Sequence, residues 1–334
     1  MNIKLDIPES FFQGEERSGY YVKPEMKKVW AVELDLLAEF ARVCKKHNLK
    51  WFASGGTLLG AARHKGFIPW DDDVDVVMMR KDYERLHEIA AEEFRHPYHL
   101  SSKQELVTRA LGFGKLFNED TTMFDNAGWF YTLKHNGNLS FSQGIYIDIF
   151  PMDGVPDDEQ AAAKMFREAR LPAYKSYLAS RLLNYYPSNI KWKRPIKAAI
   201  HFAAKVLGFV KYCSYANIKY FQKFDEAIKS GDINHNCSKV AELCWLLSTT
   251  TVKERFCTTP SSIYPRIYDR SFFSETVELP FEMLQLPAVA EYDKVLTQLY
   301  GEWREFKIQG PHGSFYDTER SYKYYYEHTE FLPN

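Results

Sequence analysis

The residues with the clearest chemistry are the aspartates of Asp71–Asp75, where the sequence reads Asp-Asp-Asp-Val-Asp. Alternate side chains of a β-strand share a face, so the pattern predicts Asp71, Asp73 and Asp75 on one face and Asp72 on the other. Three adjacent carboxylates repel one another unless cations or water screen them. Oxygen ligands of this kind suit Mg²⁺ or Mn²⁺. The neighbouring valines indicate partial burial, which favours a divalent cation site over a solvated acidic loop.

A glycine turn precedes the acidic segment. Gly55-Gly56-Thr57 follows a strand-like run and comes before a short helical pattern. The N-terminus of a helix has free backbone N–H groups and a partial positive charge, and both favour a phosphate group. Glycine lets the backbone approach such a ligand without a Cβ in the way. The turn and the acidic segment together predict a site for a metal ion and a phosphate-containing substrate.

Three further charged positions are candidates for the same site. Asp148 alternates with the isoleucines of Ile145–Ile149, which predicts a strand with Asp148 on its less apolar face. Lys115 lies in another strand-like run, where it is either an exposed strand lysine or a point charge for a phosphate oxygen. Arg63 follows the short helical pattern and has the forked donors that clamp a phosphate.

The segment from Gly55 to Asp75 resembles the signature of the LicD/fukutin family, which belongs to the nucleotidyltransferase superfamily. The resemblance covers residues 25–156 and a piece near 279–302. It implies an α+β fold with a nucleotidyltransferase-type mixed β-sheet flanked by helices. The other matching positions are Gly114-Lys115-Leu116, Ile147–Asp153 and, more faintly, Leu296–Gly301.

The resemblance also implies a reaction and a set of roles. Family members transfer a phospho-alcohol such as phosphocholine from a cytidine diphosphate donor to a glycan hydroxyl. Asp73, Asp75 and Asp148 match the catalytic and metal-binding carboxylates, with Asp71 as a further candidate ligand of Mg²⁺ or Mn²⁺. Asp148 is also expected to accept the proton of the acceptor hydroxyl. The expected substrate-binding residues are Gly55, Gly56, Thr57, Arg63 and Lys115.

The elements that position these residues fall into three predicted parts. Residues 25–156 form the catalytic core, residues 157–260 a mainly helical insertion, and residues 261–334 a C-terminal part that packs back on the core. The periodicity predicts helices at Pro24–Lys46, Leu58–His64, 81–94 and Tyr292–Tyr300, and helical segments over 158–256. It predicts strands at Leu49–Ala53, 74–78, 98–101, 111–117 and 145–149.

Composition and charge exclude several classes of protein. A formal net charge of −1 argues against a nucleic-acid binder that depends on broad phosphate neutralisation. Residues 1–27 carry charges throughout and lack a signal-peptide pattern, so we expect a cytoplasmic protein with reduced thiols. A zinc site is an alternative for four residues in one region, although their spacing lacks a paired C-x₂-C. Those residues are His235, Cys237, Cys244 and Cys257.

Two patterns bear on partners. In residues 191–212, Lys197, His201 and Lys205 form a basic stripe at helical spacing on an otherwise apolar helix. Such a helix either packs on its own core or lies on an anionic membrane surface, which would give a peripheral contact. Aromatic residues also occur in groups that would suit a cage for a quaternary ammonium group, or would simply fill cores. These are Trp129, Phe130, Tyr131, Tyr316 and Tyr322–Tyr326.

The sequence therefore predicts a cytoplasmic, metal-dependent phosphotransferase, which would be peripheral on the inner face of the plasma membrane if residues 191–212 bind that surface. Its partners would be a CDP-alcohol donor such as CDP-choline and a glycan or lipid-linked glycan acceptor, with no nucleic acid. One alternative is a glycosyltransferase whose D-x-D motif binds a nucleotide sugar through a metal. Another is a glycan-binding scaffold with an inactive fold, against which the retained, mutually repelling carboxylates argue.

Overall fold

The structure is a computed structural model that describes residues 2–124, 142–183, 194–229, 237–247, 264–306 and 314–328. These residues form an α+β fold, which confirms the predicted fold class. The helices are α1 (Pro24–Lys46), α2 (Gly55–His64), α3 (Arg80–Glu93), α4 (Leu106–Leu111), α5 (Glu159–Leu183), α6 (Arg194–Val206), α7 (Phe209–Lys229), α8 (Tyr292–Tyr300) and α9 (Tyr322–Glu327). The strands are β1 (Glu15–Arg17), β2 (Tyr20–Val22), β3 (Phe52–Ala53), β4 (Asp75–Met79), β5 (Tyr98–Leu100), β6 (Gly114–Asn118), β7 (Thr122–Phe124), β8 (Ile145–Val155), β9 (Lys239–Ala241), β10 (Ile267–Asp269), β11 (Thr276–Phe281), β12 (Leu284–Val289) and β13 (Phe315–Asp317).

A mixed seven-stranded sheet forms the centre of the fold. Its path runs β10-β9-β8-β4-β3, and β6 pairs with β8 and carries β5 on its other side. Strands β4 and β8 are parallel, whereas the remaining pairs of this sheet are antiparallel. The eleven-residue β8 is therefore the strand on which the sheet is assembled, because β4, β6 and β9 all pair with it.

Apolar patterning explains these elements. Ile145, Ile147 and Ile149 of β8 are fully buried, as the alternation predicts for a strand inside a sheet. Helix α1 begins with Pro24 in its first turn, which suits proline because that N–H has no helical partner. The apolar residues of this helix belong to the main hydrophobic cluster. Its bounds match those of the predicted helix.

The region after β8 is helical, and its last part returns to the sheet. Helices α5 and α7 pack along each other around a second hydrophobic cluster that includes Phe166 and Phe224. Residues 237–247 then contribute β9 and the 3-10 helix Leu243–Leu247, although a helical insertion was predicted there. Residues 239–241 form a strand because they pair with β8. This pairing provides hydrogen-bond partners for backbone N–H and C=O groups of β8 that would otherwise have none at this edge. The three domain boundaries stay predictions.

Two other element boundaries differ from the predicted ones. The strand predicted over 111–117 is divided, because α4 ends at Leu111 and β6 begins at Gly114. Gly112 at φ +80° ends the helix in the left-handed conformation, which glycine adopts without a Cβ clash. Helix α2 begins at Gly55 rather than at Leu58, so the glycine turn is its first turn.

Candidate active site

The acidic segment is a loop followed by a strand. Strand β4 begins only at Asp75, and the Asp71 N–H donates to the Ile68 carbonyl in a turn, at 2.9 Å. The indole N–H of Trp30 on α1 fixes this turn by donating to the Asp71 carbonyl at 2.9 Å. The segment before Asp75 is therefore not the strand that the alternation assumed, although Asp71, Asp73 and Asp75 line one cavity, as predicted, while Asp72 is buried. Asp71, Asp72 and Asp73 can each offer one carboxylate oxygen, all within 4.8 Å of one another.

The sheet register brings the distant carboxylate beside this segment. Asp75 of β4 and Asp148 of β8 are Cα partners in the parallel pair, and Asp148 faces Lys115 of β6 in the antiparallel pair. Partners across a ladder share a face of the sheet, so the three side chains form a row. The Asp148 N–H donates to the Val74 carbonyl at 2.8 Å, which ties β8 to the end of the acidic loop. The structure thus juxtaposes the predicted third carboxylate and the acidic segment.

The first turn of α2 lies against two of these carboxylates. A Cβ added to Gly55 would lie 2.5 Å from Oδ2 of Asp75, and one added to Gly56 would lie 2.6 Å from Oδ2 of Asp71. Gly55 also has φ +51°, which disfavours other residues. The Thr57 hydroxyl accepts a hydrogen bond from the Asp75 N–H at 2.8 Å. The glycines therefore make room for the carboxylates, and the positive end of the helix lies beside them.

A cavity of about 300 Å³ opens over the carboxylates. Its lining includes Asp71, Asp73 and Asp75 on one side, and Gly56 and Arg63 of α2 on another. Residues 300–305, which follow in the C-terminal part of the chain, form another side of it. The lining residues from this part are Tyr300, Glu302, Trp303 and Glu305.

Burial and like charges dominate the electrostatics of the site. Burial, with the Asp73 charge next in size, raises the pKa of Asp71 to about 9. Burial followed by the charges of Asp73 and Asp148 raises the pKa of Asp75 well above its ordinary value. The same causes raise the pKa of Glu33, which is fully buried under the acidic loop. This group of carboxylates is unfavourable in the absence of a cation.

Lys115 and Arg63 make contacts that differ from a simple phosphate clamp. The buried Lys115 ammonium donates to Oδ1 of Asp148 at 2.6 Å and lies 3.3 Å from the ring centre of Tyr146. Its observed partner is thus the third carboxylate. The Arg63 guanidinium donates to the Trp303 carbonyl at 3.0 Å and to the Glu305 carbonyl at 3.3 Å. Arg63 therefore connects α2 to the far wall of the cavity that it lines.

Sequence reasoning missed Glu33. Both of its carboxylate oxygens are buried without a hydrogen-bond partner in the described part of the chain. The acidic loop supplies the charges that act on it, with Asp72 the largest contributor. The available signal was its position, because Glu33 falls on the apolar stripe of α1 between Val29 and Leu36. A charged residue on a buried helix face marks a polar site beneath that helix.

Tyr300 and Arg266 were also missed as parts of the site. Tyr300 lines the cavity, and the Asp75 charge acts on its hydroxyl. Arg266 donates to buried Glu242 at 2.9 Å; burial lowers the pKa of Arg266, but the charges of Glu242, then Tyr268 and Asp75, raise it above its ordinary value. Tyr300 lay within the fainter sequence similarity, whereas no sequence pattern marked Arg266.

The remaining predictions about ligands receive only partial answers. Tyr316 donates a hydrogen bond to Asp72, whereas Tyr322 and Tyr325 are buried in the packing of α9. Cys237 and Cys244 are buried. The zinc alternative is not tested, because His235 and Cys257 lie outside the described residues, as do Trp129, Phe130 and Tyr131 of the aromatic groups. Among the described helices, none combines the length and the apolar character needed to cross a bilayer.

Comparisons with known proteins identify the relatives of this chain. Residues 48–178, which contain the glycine turn and all four predicted carboxylates, match the family described as LicD/FKTN/FKRP, nucleotidyltransferase domain. Over 294 residues the chain is 24% identical to the lipopolysaccharide cholinephosphotransferase LicD of Haemophilus influenzae, covering 87% of this chain and 96% of that protein. Segments of 54 and 47 residues are 43% and 45% identical to uncharacterised proteins of Rickettsia prowazekii and Rickettsia typhi. These segments cover 16% and 14% of this chain, and 20% and 15% of those proteins. Residues 48–178 therefore match a LicD-type nucleotidyltransferase domain, and most of the chain is similar to a LicD protein.

Proposed function

We propose that the protein transfers phosphocholine from CDP-choline to a hydroxyl group of a cell-surface glycan or of its lipid-linked precursor. The observation that carries the proposal is the row of Asp75, Asp148 and Lys115 beside the acidic loop, in which Asp75 lines an open cavity together with Asp71 and Asp73. Similarity over most of the chain to a lipopolysaccharide cholinephosphotransferase supports the choice of phosphocholine and of a glycan acceptor.

The donor set fits a hard divalent cation. Asp71, Asp73 and Asp75 line one cavity, Asp148 is next to Asp75 in register, and all four offer oxygen ligands. The raised pKa values of Asp71 and Asp75 show that these carboxylates lack sufficient positive charge around them. We propose that these residues hold Mg²⁺ or Mn²⁺. When bound, the ion would neutralise negative charge on the phosphates as the nucleotide leaves.

The chain's own residues then have distinct tasks in the transfer. The acceptor oxygen attacks the phosphorus that carries choline, the bond from this phosphorus to CMP breaks, and CMP leaves. Asp148 accepts the proton of the acceptor hydroxyl, while Lys115 holds its carboxylate in position from the neighbouring strand. Arg63 lines the cavity and presents positive charge to the phosphates of the donor.

The cavity also suits a quaternary ammonium group. Trp70, Tyr300 and Trp303 provide aromatic surface, and Glu302 and Glu305 provide negative charge in the same lining. Aromatic faces attract such cations without needing hydrogen-bond donors on them. This lining supports choline over a neutral alcohol. A nucleotide-activated donor supports a cytoplasmic location, and a lipid-linked acceptor supports peripheral placement on the inner face of the plasma membrane.

Nucleotide release tests the proposal. The purified protein is incubated with Mg²⁺, candidate glycans, and a panel of CDP-alcohols and nucleotide sugars. We expect CMP release from CDP-choline that depends on acceptor and falls at least about 100-fold in Asp73→Asn. Asp82→Asn, a change on α3 away from the cavity lining, is the matched control and should retain activity.

Two other outcomes would replace the proposal. Turnover of nucleotide sugars alone would assign the site to a glycosyltransferase. Tight glycan binding with no turnover of any donor, in a protein with native circular dichroism, would assign the chain to a scaffold role.

A further inference from the structure

Helix α6 presents large apolar side chains to solvent. The exposed fractions are 51% for Ile196, 55% for Ile200, 69% for Phe202, 67% for Val206 and 71% for Leu207. Leucine, isoleucine, valine and phenylalanine are normally among the most buried residue types. Five such exposed residues within one short segment are unusual for a surface helix, and exposed apolar surface of this kind marks an interaction site.

The helix is amphipathic, and its apolar side is the exposed one. At about 100° per residue, Ile196, Ile200 and Leu207 fall within about 40° of one another, and Val206 and Phe202 widen this apolar arc to about 160°. The same spacing places the basic residues on the opposite side of the helix. These residues are Arg194, Lys197 and Lys205, with His201 among them. An apolar face with basic residues opposite it is typical of helices that lie in a membrane interface.

Charge is distributed very unevenly along the chain. Residues 169–224 contain eleven Lys or Arg and no Asp or Glu, although the whole chain has a net charge of −1. The rest of the chain therefore has a net charge of −12. The acid-free stretch includes α6 and most of α5 and α7, so the sequence of these helices carries a net positive charge. This region attracts anionic surfaces, whereas the rest of the protein repels them.

Apolar surface and positive charge together identify the occupant. Nucleic acid would neutralise the charge but would leave the apolar side chains in water. A second copy of the chain would cover the apolar side chains but would bring two acid-free, basic regions together. An anionic bilayer satisfies both requirements, because acyl chains receive the apolar face and headgroup phosphates receive the lysines and arginines.

We propose that α6 lies in the headgroup region of an anionic membrane, with Ile200, Phe202 and Leu207 inserted and the surrounding basic residues on lipid phosphates. This attachment is independent of the proposed reaction, since it needs neither donor nor acceptor. It would hold the protein at a surface where lipid-linked acceptors are concentrated. Helix α6 follows α5, which leaves the sheet from the end of β8, the strand that carries Asp148.

Vesicle flotation of the full-length protein tests the proposal. We expect flotation with phosphatidylcholine vesicles that contain phosphatidylglycerol, and little with phosphatidylcholine alone. Phe202→Ser/Leu207→Ser and Lys197→Glu/Lys205→Glu should each weaken partitioning about tenfold or more. Met283→Ser, an exposed apolar residue elsewhere, and Lys45→Glu/Lys50→Glu, exposed lysines elsewhere, are matched controls that should float as the unchanged protein does.

A salt titration of the unchanged protein provides a test that needs no variant. High NaCl should release the protein from anionic vesicles, because it screens the basic residues. Equal flotation with neutral and anionic vesicles, or flotation unaffected by both double variants, would overturn the proposal. Self-association in size-exclusion chromatography that Phe202→Ser/Leu207→Ser abolishes, without any flotation, would overturn it in favour of a contact between copies.

Discussion

Asp71→Asn should stabilise the metal-free protein near neutral pH. The pKa of Asp71 is raised from 3.8 to about 9, so the folded state holds a proton that the unfolded state releases. The contribution of Asp71 to the free energy of unfolding is then fully present below pH 3.8 and decreases as the pH rises towards about 9. At about 1.36 kcal/mol per unit, the loss at about pH 7.5 has an upper limit of about 5 kcal/mol. Relaxation around the carboxyl reduces this, so we expect Asn to gain about 2 to 3 kcal/mol.

Urea denaturation in EDTA, followed by tryptophan fluorescence, measures the difference. Asp71→Asn and the unchanged protein should have similar stability at about pH 4 and diverge as pH rises. Saturating Mg²⁺ should reverse their order, because a bound ion stabilises the folded state by about 4.1 kcal/mol at about 1,000 times its Kd. Equal stability at both pH values without metal, or a less stable variant at about pH 7.5, would refute the reasoning.

Asp35→Asn is the matched control for this experiment. Asp35 is another buried carboxylate, on α1, but it accepts hydrogen bonds from the backbone N–H groups of Lys4 and Leu5 and from the Tyr98 hydroxyl. Replacing it should destabilise the protein with or without Mg²⁺, by about 1 to 3 kcal/mol. The contrast separates a carboxylate that has partners from one that repels its neighbours.

Three other changes test the site. Lys115→Met removes the buried cation that pairs with Asp148, so the free energy of unfolding should fall by about 3 kcal/mol in urea titrations; an unchanged value would contradict a structural ion pair. Gly55→Ala should weaken Mg²⁺ binding about tenfold by calorimetry, because its Cβ would lie 2.5 Å from a carboxylate oxygen of β4. Gly19→Ala is the control, because Gly19 also has a positive φ of +76° but has open space around it. An equal loss of Mg²⁺ affinity in both variants would mean that backbone strain alone causes the effect. Tyr300→Leu should raise the KM for CDP-choline about fivefold and leave that for CDP-glycerol unchanged; a parallel rise in both would exclude a cation–π contact.

Local sequence patterns were sufficient to predict much of the fold and the types of residue in the site. The apolar periodicity of α1, the alternation in β8 and the bounds of α8 were all readable, because each depends on residues close in sequence. The glycine turn was also predictable from the sequence. Its glycines were expected to make room for a phosphate, and in the structure they make room for the carboxylates of Asp71 and Asp75.

Other features depended on contacts that no local pattern encodes. The Asp71–Asp73 loop was predicted as strand because alternation cannot reveal the turn at Ile68 or the Trp30 hydrogen bond. The pairing of Lys115 with Asp148 follows from the register of β6 on β8, which connects distant parts of the chain. Strand β9 was missed for the same reason, since three residues form a strand there only because β8 offers an open edge.

The parallel pairing of β4 with β8 also affects how the chain folds. Asp75 and Asp148 become neighbours only when the long segment between them closes into a loop. Contacts between residues so distant in sequence form slowly, because the entropy of loop closure must be lost first. Closing this ladder brings like charges together, so electrostatic repulsion opposes the same step that creates the site. Refolding should accordingly be faster in high salt or with Mg²⁺ than in dilute buffer, because either one lowers the repulsion between these side chains. The pairing of β4 with β8 thus makes the folding rate depend on the concentration of cations.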